Sequence, residues 1–316
     1  MQRRKFLVLI GGPQLFTSSA PALADSSGPQ LASYYDRHMA LLDGVAYGWT
    51  GSGLPVRMRA GFKQVGVSQD VFFALQDDGR LFSWGAAPES ARLLMPEVSA
   101  FASGQSGWFA IDPAQVLWQG GGKLQAPRRV AQDVVSACIG DSANYYIRRD
   151  GTLWVKGLAH RGQYGDGRLT ATADFVNTAG DAIAVKAHTG HALYLSQGGM
   201  VMGTGGNRYG PLGAHGLGDK ADRWGRVFDG ARAIATGSRH SVAIRTDSTL
   251  WAWGEGFGIE PRRLLEGVVA VAAGNTATIA LRADGSLLQW DGGAGPRRLR
   301  VLSGASDATT PGQNTN

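Results

Sequence analysis

The sequence is poor in the residues that cross-link, charge or punctuate a chain. One residue of 316 is cysteine, Cys138, so no intramolecular disulfide framework can form. Charged side chains reach 18%, below the ~25% of an average globular protein. With 43% apolar residues this excludes a disordered chain. Proline stops at 12 residues and the glycines follow no G-X-Y period, which excludes a collagen-like rod. The N-terminal apolar run is broken by Gly11, Gly12 and Pro13, well short of the ~20 residues of a membrane span. What the chain has in excess is glycine, 47 residues, together with nine tryptophans. That combination points to many short strands joined by tight turns.

Residues 1–24 carry a basic start (Arg3, Arg4, Lys5), an apolar stretch and an Ala22-Leu23-Ala24 cleavage pattern. They are expected to be an export signal, with Asp25 as the mature N-terminus and a periplasmic or secreted destination. Arg3-Arg4-Lys5-Phe6-Leu7 resembles a twin-arginine signal, and an ordinary secretory signal is the alternative. The formal charge of +6 loses three basic residues with this segment, leaving +3. A balance so weak, without basic runs, argues against a nucleic-acid partner. No membrane span is expected after signal removal.

The remainder repeats. Thr249-Leu-Trp-Ala-Trp-Gly254 recurs near Gly85, Gly121, Gly157, Gly205 and Asp291, with a weaker copy ending at Thr50. Each copy follows an alternating apolar segment and a tight turn, for which Asp43-Gly44, Asp78-Gly79, Asp150-Gly151 and Asp284-Gly285 are suited. A further short strand such as Pro261-Arg-Arg-Leu264 and an apolar run such as Val268–Gly274 complete the unit. Four strands in about 36 residues make one propeller blade. The expected fold is therefore all-β: a seven-bladed β-propeller over 31–303, after a flexible linker at 25–30 and before a disordered tail at 304–316. The chain starts in mid-pattern at Leu31 and stops before that strand would recur, so the N- and C-terminal segments are expected to pair and close the ring. Trp49, Trp84, Trp118, Trp154, Trp251, Trp253 and Trp290, in the repeated strand, are expected to fill space between blades. Cys138 is expected to act as a small core residue.

Gly237-Ser-Arg-His-Ser241, Leu250-Trp-Ala-Trp-Gly254, Gly206-Asn-Arg-Tyr-Gly-Pro-Leu-Gly213 and Arg161-Gly-Gln-Tyr-Gly-Asp-Gly167 resemble the regulator-of-chromosome-condensation repeat family. The resemblance spans about 31–302 and implies a seven-bladed propeller. The family's founding member is a nuclear exchange factor for a small GTPase that also binds chromatin. An export signal sets both roles aside, and no exchange residue carries over. Secreted propellers of the β-lactamase-inhibitory type resemble this chain in having such repeats, and support protein binding as a class of function. Blade lengths here vary more than theirs.

Two units are long, and their extra segments, 158–177 and 206–226, follow the same repeat position in consecutive blades. They are expected side by side on one face, as the surface for a protein partner. The candidate contacts are Arg161, Gln163, Tyr164, Arg168, Asn207, Arg208, Tyr209, His215, Arg223 and Trp224. The plain alternative is that these are the family's full-length loops. His38, His191 and His240 are assigned one repeat column and a structural hydrogen bond each, and no metal or other cofactor is expected. No catalytic motif is present: no nucleophile elbow, no Walker loop, no cysteine–histidine pair. The reading is a non-enzymatic binding protein. Its alternatives are a carbohydrate-binding or carbohydrate-cleaving propeller using the channel mouth, and a structural envelope component. Oligomeric state is not readable.

Overall fold

A computed structural model of the chain describes residues 29–121, 126–214, 218–292 and 295–301. The expected export signal and C-terminal tail lie outside the described residues, as does His215. Of the expected linker only Pro29 and Gln30 are described, and Gln30 already opens the first strand.

Seven four-stranded antiparallel sheets follow one another along the chain, each built from four consecutive strands. Blade 6 shows the design: Ala231–Thr236 innermost, then His240–Arg245, Leu250–Gly254 and Gly258–Leu265 outermost. The blades span 30–60, 62–95, 100–131, 134–179, 182–228, 231–265 and 268–299. In six of them the pairing of third and outer strands slips at the same place, between the first and second residues of the Leu-Trp-type motif. A bulge there bends and twists the outer strand. The repeat is thus one of backbone as well as residue type.

No blade covers its own faces, so burial occurs between blades. Seven buried apolar clusters lie at the seven blade–blade junctions. Trp49, Trp84, Trp253 and Trp290 are buried in four of them, while Trp118, Trp154 and Trp251 are half-buried and pack against the junction clusters from the edge. Trp108 is a fifth buried tryptophan and comes from a second strand, not the repeated one. It covers Gly120, which occupies the position where blade 6 has Trp253. Cys138 is buried at the junction of blades 4 and 5, its Sγ 3.2 Å from the Ala187 amide nitrogen.

The ring closes where the two chain ends meet, and it does so by blade packing. The first and last segments belong to separate sheets, so no strand is exchanged between them. Trp49 of blade 1 donates to Gln289 Oε1 of blade 7 at 3.1 Å, and Gln289 Nε2 donates back to the Gly51 carbonyl at 3.1 Å. The Asn275 amide donates to the Tyr35 carbonyl at 3.1 Å. Leu287, Leu299, Trp49 and Ala40 form the apolar part of this seam.

Histidines link successive blades. His191 of blade 5 lies 3.0 Å from Ser241 Oγ of blade 6, and His240 of blade 6 lies 2.9 Å from Thr278 Oγ1 of blade 7. His38 does not share their column. It pairs with Trp49, as Ser241 pairs with Trp253, so Arg37 stands where blades 5 and 6 have histidine. A one-residue step turns a strand side chain to the other face. His38 consequently faces backwards to blade 7 and takes its hydrogen bond from Ser33 at 2.9 Å.

Burial lowers the pKa of His191 to about 3 and of His38 and His240 to about 4. The unfolded chain, with imidazoles near 6.5, then binds more protons than the native state between pH ~6.5 and those values. This contribution to stability is present above pH ~6.5 and is lost as pH falls toward 4. Urea melts from pH 7 to 4 are expected to show that decline. In His240→Gln, which keeps a hydrogen-bonding group, the decline is expected to be shallower; an unchanged slope would count against this assignment.

Candidate functional site

One face of the ring carries the inner turns and the loops between third and outer strands; the opposite face carries the Asp-Gly-type turns. Both long loops emerge on the first face, from blades 4 and 5. Much of each is spent on joining its blade to the next. The Gln163 carbonyl accepts from Tyr145, the Tyr164 hydroxyl donates to the Gly157 carbonyl, and both residues are buried. Gly162, at φ +86°, lies so close to the Ala221 carbonyl of blade 5 that a Cβ would strike it. The Trp224 amide donates to the Gly165 carbonyl at 2.9 Å, and the Trp224 ring meets Tyr194 edge-on at 4.9 Å. Blade 5 admits the loop because Thr204, small and polar, stands at the Trp253 position and reaches the Gly162 carbonyl at 2.7 Å.

The blade 5 loop repeats the device on blade 6. Ser241 Oγ and Trp253 Nε1 both donate to the Pro211 carbonyl, at 2.8 and 2.7 Å. Asn207 is buried, and its Oδ1 accepts from the Leu212 amide at 2.9 Å, which folds the loop on itself. Of the ten candidate contacts, Gln163, Tyr164 and Asn207 therefore serve the fold rather than the surface. Trp224 is half-buried at the junction of blades 4 and 5. Arg168 pairs with Asp166 at 2.8 Å, and Arg223 runs beside Asp166 on the rim.

The exposed remainder gathers over blades 5 and 6. Arg161 lies against Gly190 and Gly206, at the root of the second loop. Tyr209 is 40% exposed, with the Arg239 guanidinium 4.3 Å above its ring and that of Arg208 at 5.9 Å. Arg239 is steadied by Glu255 at 3.1 Å. Ile259, 59% exposed, packs beside Gly210. Arg239 and Ile259 escaped the sequence reading because they lie in short segments of blade 6; only the ring geometry brings them to Tyr209.

The channel is spanned on this same face. Tyr34 of blade 1 donates to Asp141 of blade 4, across the ring, and stacks on His188 of blade 5 at 5.0 Å. His188 Nδ1 lies 3.0 Å from Thr189 Oγ1, 3.3 Å from Ser238 Oγ and 3.8 Å from Asp141 Oδ2. A serine–histidine–aspartate relay uses both ring nitrogens. Here serine and aspartate face the same one, while Nε2 is buried without a partner. Burial lowers the His188 pKa, and burial with the Asp141 carboxylate raises that of Tyr34. The group is a latch across the axis on this face.

Residues 231–257, the core of blade 6, match the regulator of chromosome condensation (RCC1) repeat. No curated protein matches the chain. Among solved structures it is similar to Prp20p from Saccharomyces cerevisiae, a protein described by its binding to Gsp1p and histones. That likeness has 16% identity and a TM-score of 0.65 over 78% of this chain and 80% of that one. It is similar also to yeast RCC1 (Prp20) bound to Kap60, at 15% identity and TM-score 0.68, covering 77% of each chain. The ectodomain of the Arabidopsis thaliana receptor kinase ACR4 gives 14% identity and TM-score 0.56 over 87% and 98%. Identities so low speak to the fold alone. With that repeat matched in its sixth blade, and seven blades of one design closed in a ring, the chain is a seven-bladed β-propeller that carries an RCC1 repeat at 231–257.

Proposed function

We propose that this is an exported, non-enzymatic binding protein that docks a partner protein on its loop face, over blades 5 and 6. The observation that carries the reading is the exposed Tyr209 ring under the Arg239 guanidinium at 4.3 Å, with Arg208 at 5.9 Å and exposed Ile259 against the neighbouring Gly210. Tyrosine and arginine are the side chains most enriched where binding energy concentrates. Of eight large apolar side chains exposed among the described residues, Leu54, Leu158, Leu169, Tyr209 and Ile259 all lie on this face. Of these, Tyr209 and Ile259 are neighbours on blades 5 and 6, Ile259 packing against Gly210, and adjacent exposed apolar side chains mark contact surfaces more than scattered ones do. The RCC1-like neighbour Prp20p binds proteins, which supports a protein as partner class here.

The test is recovery of envelope-fraction proteins on the purified chain and on Tyr209→Ala/Arg239→Ala. A partner bound by the wild type is expected to lose roughly 2 kcal/mol or more, about 30-fold in Kd, in the double variant. The melting temperature should stay within a few degrees. Equal recovery by the folded double variant would remove the patch. Deleting 158–177 or 206–226 is the poorer experiment, because both deletions cut outer strands and inter-blade contacts. Export is tested separately by cell fractionation: a chain processed after Ala24 supports it, and an unprocessed cytoplasmic chain contradicts it.

A further inference from the structure

The seam between the last and first blades holds a cavity of about 580 Å³, lined by Tyr35, Asp36, His38, Asn275, Thr276 and Asp291, with Gly51, Ser52 and Ala277. It opens on the loop face, off the axis that the Tyr34–Asp141 latch crosses. Its origin is a break in the repeat. Between blades 6 and 7 the corresponding space holds His240, with Phe257 5.5 Å away. Between blades 5 and 6 it holds His191 and the tucked Pro211-Leu212. Blade 7 has Ala277 in the histidine column, so among the described residues no side chain of blade 7 takes the histidine's place in the gap.

We propose that this seam cavity is a binding site for a small neutral polyhydroxylated ligand, a sugar residue. Its size falls within the range of small-molecule sites, ~300–1,000 Å³. No lysine or arginine lines it, which disfavours phosphorylated or acidic ligands, and its aliphatic lining is limited to Ala277. Two carboxylates supply acceptors. Asn275, Ser52 and Thr276 supply both donors and acceptors. His38 is fully buried, its Nδ1 engaged with Ser33, and its Nε2 has no hydrogen-bond partner. A cationic ligand suits the site less well. Asp291 already accepts from Gln289 at 2.7 Å and faces Arg297 at 3.8 Å, so the carboxylates are not a bare anionic pair. The site lies one blade on from Arg239, whose neighbour Ser238 donates to the Gly274 and Asn275 carbonyls, but Tyr209 and Arg239 do not line it, so its test is separate from that of the protein-docking patch.

The test is titration of the full chain, by calorimetry and saturation-transfer NMR, with glucose, N-acetylglucosamine and their β1,4-linked dimers, and with ethylammonium as the cationic probe. Saturable binding of at least one saccharide is expected. Asn275→Ala, at an exposed position, should weaken it at least about tenfold. Ala277→His, which restores the side chain that blades 5 and 6 carry there, should abolish it. Absence of saccharide binding, binding of ethylammonium alone, or saccharide binding unaltered in both variants would overturn the proposal.

Discussion

Replacing Trp253 by alanine is expected to destabilise the ring by about 3–5 kcal/mol, close to the upper end for a buried aromatic. Trp253 is fully buried and stacks on Phe228 at 5.5 Å. Its indole N–H holds the Pro211 carbonyl at 2.7 Å. Truncation therefore opens a cavity between blades 5 and 6 and leaves a buried carbonyl one donor short. Ser241 still reaches that carbonyl, which keeps the polar part of the loss small. Thermal melting should show a fall of about 10 °C. Amide exchange should rise at Gly210 and Gly213, whose N–H groups close the turns of this loop. Trp253→Phe keeps most of the volume and should recover more than half the loss. A melting temperature within a degree or two of wild type for Trp253→Ala would contradict the blade-to-loop clasp.

The second large effect concerns blade 3. There the side chain that fills the wedge has moved from the third strand to the second: Trp108 lies directly opposite Gly120, and a Cβ on Gly120 would strike the Trp108 ring. Blade 6 solves the same problem with Ser241 and Trp253 at the paired positions. Trp108→Ser alone is expected to cost about 3–5 kcal/mol through the cavity it leaves. Gly120→Trp alone should cost about 1–3 kcal/mol or more through overpacking. The double variant installs the blade 6 arrangement, and should be more stable than the sum of the singles by about 1–3 kcal/mol. Strict additivity in a urea-melt cycle would show that the two positions do not share one space.

Much of this architecture is legible in the sequence. The Asp-Gly turns and Leu-Trp motifs mark the blades because a hairpin turn and a wedge-filling aromatic are local requirements, repeated in each blade. The position of the two long loops on one face is legible for the same reason. What they do there is not. Tucking depends on the following blade, which must present a small Thr204 or a donating Trp253 at one strand position, and that match is visible only when blades stand side by side. Gln163, Tyr164 and Asn207 look like contact residues by type, yet burial assigns them to the clasp. Residue identity alone aligns His38 with His191 and His240, whereas strand register puts Arg37 there. The Tyr34–Asp141 latch joins residues 107 positions apart across the ring, and no periodicity announces it.

The docking claim is tested most directly by site-specific photocrosslinking in the folded full chain. A photoreactive side chain is placed at Arg208 on the loop face, or at Asp284 in a turn on the opposite face, and the proteins of the same envelope fraction are offered to each. An adduct with one discrete protein is expected from position 208, absent from position 284, and lost when Tyr209→Ala/Arg239→Ala is added. Adducts of equal yield from both faces, or an adduct at 208 indifferent to the double substitution, would contradict a docking surface over blades 5 and 6.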